Sequence, residues 1–211
     1  MGQLTQEDRS DLQLIVQLIA NILERSREEA ARDVPPTAPI TPGRRPIAWG
    51  TKVSQVFRDR VWWIADELTL DPDFLMSCMA FETGRTFSAS VKNMAGSGAT
   101  GLIQFMPKTA IGLGTTTDKL AKMTAEDQLN FVYKYFRPFN GRLKTLADTY
   151  MAILFPKAVG QPEGYVLFSG GIAYRQNAGL DTNKDGKVTK LEAAAKVMAL
   201  YQEGRRPENM A

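Results

Sequence analysis

The sequence predicts a mainly α-helical protein, and three observations lead to that prediction. Apolar residues recur at helical spacing in several segments, as in Leu12, Ile15 and Ile19. Helix start signals precede such segments, the strongest being Asp71-Pro72, where a capping aspartate is followed by a proline suited to the first helical position. No segment shows a convincing β-sheet pattern, and there is no internal repeat.

The chain begins with two segments that lie outside the main domain. Residues 1–33 form an N-terminal element in which residues 5–31 are predicted to be an amphipathic helix that packs on the domain or on a partner protein. Residues 34–48 are rich in proline and are predicted to be an extended linker. The apolar stretch 14–23 is too short and too polar to span a membrane, and its acidic flank is unlike that of a signal peptide.

Residues 49–211 are predicted to be the main domain, built from successive helices. The segment 72–81 is apolar on all sides, which predicts a central, buried helix. Glu82 follows it directly, and Gly84 stands where a helix would end. The remaining helices are predicted at 51–69, 143–154 and 189–203, with further helices beginning at Pro107 and Thr124.

The composition limits the chemistry that this domain can perform. The 211 residues carry a net charge of +3, a small excess that does not predict nucleic-acid binding, and no organic cofactor is expected. The sequence has no histidine, which excludes Ser-His-Asp and Cys-His catalysis and His-ligated metals. Acid–base catalysis near neutral pH must then use a Glu, Asp, Lys or Tyr with a shifted pKa. The single cysteine, Cys78, is predicted to be a buried hydrophobe.

Glu82 is the candidate catalytic residue, because its surroundings favour the protonated carboxyl. Apolar neighbours make ionisation costly, and the C-terminal end of a helix disfavours negative charge. No other acidic residue occurs until Asp118. A carboxyl with a raised pKa is the group that a glycosidase uses to protonate a leaving oxygen.

The pattern around Glu82 resembles a known family. Glu82-Thr83-Gly84 is followed, after a Gly- and Ser-rich loop, by GLIQFMPKTA at residues 101–110. This arrangement is similar to the lytic transglycosylases of the goose-lysozyme-like superfamily, in which a Glu-Ser/Thr pair precedes Gly-Leu-Met-Gln-Ile-Met-Pro-x-Thr-Ala. The resemblance covers roughly residues 50–180 and implies a lysozyme-like helical domain that acts on peptidoglycan glycan strands.

The resemblance also implies roles for individual residues. Glu82 would protonate the oxygen between N-acetylmuramic acid and N-acetylglucosamine, and would then assist attack by the sugar's own 6-hydroxyl to leave a 1,6-anhydro end. Thr83, Gln104 and Phe105 match motif positions near the bound sugar. A second carboxylate is not required for this reaction, although Asp118, Asp127, Asp148 or Glu163 could fold near Glu82 and permit hydrolysis.

The family's third motif, Ala-Tyr-Asn-Ala-Gly, is altered in this chain. Tyr150, in LADTYMA, is the preferred equivalent of the motif tyrosine, with Met151 in place of Asn. A second candidate segment, residues 173–179, contains Asn177, which is expected to supply the missing amide. The alternative for Tyr150 is a core position on an apolar stripe.

Residues 181–192 match the calcium-binding loop of an EF-hand. Calcium prefers oxygen ligands, and such loops place them at positions 1, 3, 5, 7 and 12, with glycine at position 6. Gly186 fills position 6. The predicted ligands are Asp181, Asn183, Asp185, the carbonyl of Lys187, and Glu192. A single loop indicates a structural Ca²⁺ ion, and some lytic transglycosylases carry such a loop.

Together these features predict a phage peptidoglycan lytic transglycosylase. We expect it in the virion tail, acting on the host periplasm and cell wall, with residues 1–33 contacting phage structural proteins. One alternative is an endolysin or lysozyme-type hydrolase held in the host cytoplasm until lysis. Another is a weakly catalytic structural virion module that binds peptidoglycan.

Overall fold

The computed structural model describes residues 43–93 and 96–211. This part of the chain is mainly helical, as predicted, with eight α-helices and a two-stranded sheet. The helices are α1 (Gln55–Leu68), α2 (Pro72–Glu82), α3 (Pro107–Gly112), α4 (Thr117–Leu120), α5 (Ala125–Phe136), α6 (Leu146–Leu154), α7 (Gly171–Asn177) and α8 (Lys190–Gly204). The predicted helix at residues 5–31 and the linker up to residue 42 lie outside the described residues.

Helix α2 is the centre of the core, which confirms the prediction from its sequence. It contacts α1, α6 and α8. Five of its apolar residues have no solvent-exposed surface: Leu75, Met76, Cys78, Met79 and Ala80. The last residue of α2, Glu82, is therefore positioned by the most deeply buried element of the domain.

Capping side chains set where several helices begin. The hydroxyls of Thr124 and Thr189 accept backbone N–H groups at the starts of α5 and α8, as the sequence predicts. Two predicted starts are too early. Ser54 caps α1 and Thr145 caps α6, because each hydroxyl accepts an N–H from three residues later.

Residues 44–48, which the sequence assigns to the linker, pack against the domain. Arg45 forms an ion pair of 2.9 Å with Asp73, whose side chain is completely buried. The amide of Ile47 donates to the carbonyl of Ala211 at 3.0 Å, and Ile47 itself is fully buried. The packed body therefore begins before residue 49.

The two-stranded sheet was not predicted from the sequence. Strand β1 (Val166–Ser169) pairs antiparallel with β2 (Lys187–Thr189), with Phe168 opposite Val188. Both strands are too short to show a clear alternation of apolar and polar residues, and β2 lies inside the predicted calcium loop. The sheet gives the single loop a pairing partner from elsewhere in the chain.

None of the described helices is long and apolar enough to cross a membrane.

Candidate active site

Glu82 lies half-buried at the C-terminal end of α2. The helix ends here because Thr83 leaves the helical conformation and Gly84 adopts a positive φ of 58°. Burial raises the pKa of Glu82 from 4.5 to about 7. Burial is the single cause of this rise, so no cation or hydrogen-bond donor among the described residues offsets it. The carboxyl is thus able to hold a proton near neutral pH.

Two tyrosines accompany Glu82. Burial and then the negative charge of Glu82 raise the pKa of Tyr150, and the same two causes raise the pKa of Tyr135 to about 12. The Tyr150 ring stands edge-on to Phe81, with ring centroids 5.4 Å apart. The Tyr135 hydroxyl donates to the carbonyl of Ala152 at 2.7 Å. Both phenols stay protonated at neutral pH and form a polar but uncharged surrounding for the acid.

Tyr135 is a site residue that the sequence analysis missed. It lies in α5 but outside the apolar stripe that predicts this helix. Its ring packs edge-on against Phe105, with centroids 6.2 Å apart. An aromatic residue off the main stripe of an amphipathic helix was the available signal, because such a residue must face something other than the helix's principal partner.

Other carboxylates that could have joined Glu82 are engaged or exposed. Asp148 is buried but forms an ion pair of 2.6 Å with Lys190. Asp127 lies 3.6 Å from Arg60, and the side chain of Asp118 is 83% exposed. The pKa of Glu82 has no contribution from another acid. The structure therefore gives Glu82 no carboxylate partner among the described residues.

A buried glutamine holds the motif loop in place. The Gln128 side chain, which is fully buried in α5, accepts from the Leu102 amide at 2.6 Å. Its own amide donates to the carbonyls of Ala89 and Leu120 at 3.1 and 3.0 Å. Gly101 is required beside it, because a Cβ there would lie 2.2 Å from the Gln128 carbonyl oxygen and its φ is +85°. Gln128 was not identified from the sequence.

Gln104 stabilises the same loop from inside. It adopts a left-handed φ of 51°, and its side-chain amide donates to the carbonyls of Val91 and Gly101 at 3.2 and 3.1 Å. The side chain is half-buried. Its carbonyl oxygen makes no hydrogen bond to any described residue, so this atom is the part of the predicted sugar-binding side chain that can accept from a ligand.

Thr83 and Phe105 occupy supporting positions, in contrast to the predicted sugar contacts. The Thr83 hydroxyl donates to Met79 at 2.6 Å and accepts from the Phe87 amide at 3.0 Å, so it fixes the turn after Glu82. Phe105 is 2% exposed and packs on Tyr135. Since both side chains are buried, they support the residues around Glu82 from within the core.

Asn177 is the last residue of α7. Its side-chain amide donates to the carbonyl of Ala173 at 2.9 Å, a bond within its own helix. The helix contacts β1 and β2. The expectation that Asn177 supplies the missing amide of the third motif stays a prediction.

The calcium loop has the turns that its sequence predicts. Asn183 accepts from the Asp185 amide and Asp185 accepts from the Lys187 amide, both at 2.9 Å. Gly186 adopts a φ of +83°, which permits the sharp turn at position 6. These two hydrogen bonds hold Asn183, Asp185 and Lys187 in one tightly turned segment of the loop.

The two ends of the loop are buried and joined to each other through backbone groups. Asp181 accepts from Gly186 and from the Tyr174 hydroxyl through one oxygen, while its other oxygen is buried and has no hydrogen-bond partner. Glu192 accepts from Thr189, and these bonds are the main reason that its pKa falls to about 2. A buried carboxylate oxygen without a partner is the feature that a cation would satisfy.

The loop does not bring its three acidic side chains, Asp181, Asp185 and Glu192, together at one point. Among the described residues, no three Cys, Asp or Glu side chains converge closely enough to hold a metal ion. The loop instead combines carboxylate, amide and backbone carbonyl oxygens, the mixture that Ca²⁺ takes. One Glu192 oxygen accepts from the amides of Thr182 and Asn183 at 3.2 and 3.4 Å, so ligation through both oxygens would replace these weak bonds.

No protein-family model matches the chain, and a comparison with curated proteins finds no match. The similarity of residues 82–110 to lytic transglycosylases therefore stays a resemblance. The functional interpretation depends on the side chains around Glu82.

Proposed function

We propose that the chain is a peptidoglycan lytic transglycosylase with Glu82 as its single acid–base residue. The observation that carries the proposal is the isolation of Glu82: a half-buried carboxyl with a pKa of about 7, beside two neutral tyrosines and without a carboxylate partner. Retaining and inverting hydrolases need two carboxyls, about 5 Å or about 6.5–9.5 Å apart. An intramolecular transglycosylation needs one.

In the proposed reaction, protonated Glu82 donates its proton to the oxygen that joins N-acetylmuramic acid to N-acetylglucosamine, and the bond from that oxygen to C1 breaks. The Glu82 carboxylate then takes the proton of the 6-hydroxyl while the oxygen of that hydroxyl bonds to C1. The products are a 1,6-anhydro end and a free 4-hydroxyl. No water is consumed, and Glu82 ends protonated for the next cycle.

The neighbouring residues support this use of Glu82. Tyr150 and Tyr135 exclude water from one side of the carboxyl without contributing a charge. Gln104, held by Val91 and Gly101, offers one free carbonyl oxygen at the motif loop. We assign the glycan strand to the surface along this loop, within reach of Glu82.

The test is the product released from purified peptidoglycan. Chain ends separated by liquid chromatography and identified by mass spectrometry should be 1,6-anhydro ends, which lack one water relative to reducing ends. Glu82→Gln should slow their release by about a hundredfold to ten-thousandfold, because the amide cannot transfer a proton. Glu163→Gln, which removes an exposed carboxylate, is the matched control and should keep the wild-type rate.

Each other outcome identifies a different protein. Reducing ends would indicate a lysozyme-type hydrolase, and retention of peptidoglycan without any release would indicate a wall-binding module. Full activity of Glu82→Gln would exclude Glu82 as the acid.

We propose in addition that residues 181–192 bind one Ca²⁺ ion through Asp181, Asn183, Asp185, the Lys187 carbonyl and Glu192. The unpartnered, buried oxygen of Asp181 carries this second proposal. The ion would fix the loop between β1 and α8. Isothermal titration calorimetry should give one site per chain, and absence of binding in millimolar Ca²⁺ would contradict it.

A further inference from the structure

A buried ion pair joins the calcium loop to the helix that carries Tyr150. The Lys190 ammonium lies 2.6 Å from a carboxylate oxygen of Asp148 and 2.7 Å from the carbonyl of Gln161. The side chains of Lys190 and Asp148 are only 4% and 7% exposed. Asp148 also accepts from the Gly160 amide at 2.7 Å and from the Thr145 hydroxyl at 2.9 Å. Because these bonds come from several directions, the pair has one well-defined geometry.

On one side, the pair belongs to the calcium loop. Lys190 is the first residue of α8, and Glu192, the last predicted calcium ligand, lies in the same helical turn. Glu192 also closes a capping box with Thr189. An ion that draws Glu192 away from the Thr182 and Asn183 amides acts on the first turn of α8, the turn that also carries Lys190.

On the other side, the pair belongs to the candidate active site. Asp148 and Tyr150 lie in the same short helix, α6. Tyr150 packs edge-on against Phe81, the neighbour of Glu82. A shift of α6 therefore changes the wall beside the acid.

We propose that the Lys190–Asp148 pair couples calcium binding at residues 181–192 to the position of Tyr150 beside Glu82. The inference rests on the calcium site proposed above, and it goes further in making the ion a determinant of the active-site wall. Coupling of this kind is reciprocal, so a change that releases α6 from Lys190 also changes the affinity for calcium.

The six tyrosines of the chain offer a direct test by NMR of protein labelled with ¹³C in its tyrosine rings. Tyr174 donates to Asp181 and reports on occupancy of the loop. Tyr150 reports on the coupling. Tyr133, which packs edge-on against Trp63, is the internal control. Calcium should shift the resonances of Tyr174 and Tyr150 and leave that of Tyr133 unchanged.

Asp148→Asn should abolish the response of Tyr150 while Tyr174 still responds. In calorimetry, Asp148→Asn should raise the dissociation constant for calcium by about fivefold or more. Glu163→Gln removes an equal charge near the loop and should change this constant by less than about twofold. If Asp148→Asn does not fold, the double variant Asp148→Leu/Lys190→Met replaces the buried pair by apolar side chains and serves the same purpose.

The outcomes separate the two proposals. A response of Tyr174 without one of Tyr150 overturns the coupling and leaves the calcium site in place. No response of Tyr174 overturns both. An unchanged Tyr150 response in a folded Asp148→Asn variant also overturns the coupling. The transglycosylase proposal is tested separately, by the chemical form of the product ends.

Discussion

The ring of Tyr150 stands nearly perpendicular to the ring of Phe81, at 83° and with 5.4 Å between the centroids. Such edge-to-face pairs contribute about 0.5–1.5 kcal/mol beyond the area they bury. Because Phe81 precedes Glu82 in α2, the contact fixes the distance between α6 and the end of the helix that carries the acid. The same contact therefore belongs both to the hydrophobic core and to the candidate active site.

Truncation of Tyr150 should therefore affect both stability and the acid. Tyr150→Ala should lower the free energy of unfolding by about 3–5 kcal/mol, because the ring is 4% exposed and leaves a cavity. It should also lower the pKa of Glu82 toward 4.5, because water gains access to the carboxyl. Tyr150→Phe keeps the ring and should cost no more than about 1.5 kcal/mol. Urea unfolding and the ¹³C carboxyl titration of Glu82 measure the two effects, and equal losses for Ala and Phe would contradict this role of the ring.

The raised pKa of Glu82 predicts a stability that depends on pH. The pKa of Glu82 is about 7 in the folded protein, and its ordinary value of 4.5 applies to the unfolded chain. Protonated Glu82 therefore contributes a stability that is fully present below pH 4.5 and is lost as pH rises to about 7. The difference corresponds to about 3 kcal/mol. Glu82→Gln, which cannot ionise, should thus gain about 3 kcal/mol relative to wild type between pH 4.5 and pH 8.

Urea unfolding of both proteins at several pH values measures this gain. Glu163→Gln, the same substitution at an exposed carboxylate, is the control for the replacement itself. A constant difference between Glu82→Gln and wild type across the range would mean that Glu82 is not held protonated by burial.

The features predicted correctly from sequence are those encoded by neighbouring residues. The buried character of α2 follows from its own composition, and its start follows from Asp71 and Pro72. The helix start predicted at residue 189 is confirmed, because Thr189 and Glu192 form a capping box within one turn. The raised pKa expected for Glu82 also follows from local context, since an apolar helix leads directly to it.

The features that were missed depend on residues far apart in the chain. Gln128 meets Leu102 across 26 positions, and Lys190 meets Asp148 across 42. No local pattern distinguishes these polar side chains from exposed ones. The motif resemblance carries no information on burial, so it did not reveal that Thr83 and Phe105 are only 3% and 2% exposed.

The close contact between Gly101 and Gln128 predicts a specific cost for a methyl group. Gly101→Ala and Gly114→Ala both place alanine at a positive φ, +85° and +79°, and each should cost about 1–2 kcal/mol from backbone strain. At Gly101 the new Cβ also meets the buried Gln128 amide, whereas Gly114 has open space around it. Gly101→Ala should therefore cost at least about 2 kcal/mol more than Gly114→Ala, through loss of a buried hydrogen-bond network. Urea unfolding measures both, and equal costs would show that the loop adapts without loss.

Calcium should raise the thermal stability of the protein through the loop, and Asp181 should be necessary for this. At a hundred times its dissociation constant, an ion that binds the folded state alone adds about 2.7 kcal/mol, or roughly 5–11 °C for a protein of this size. Asp181→Asn removes the carboxylate charge of Asp181, one oxygen of which is buried in the loop without a hydrogen-bond partner. This variant should therefore melt at nearly the same temperature with calcium and with chelator. Asp118→Asn, at an exposed position, should keep the full calcium increment. Differential scanning calorimetry compares the increments directly, and an equal increment in Asp181→Asn and wild type would place the ion elsewhere in the chain.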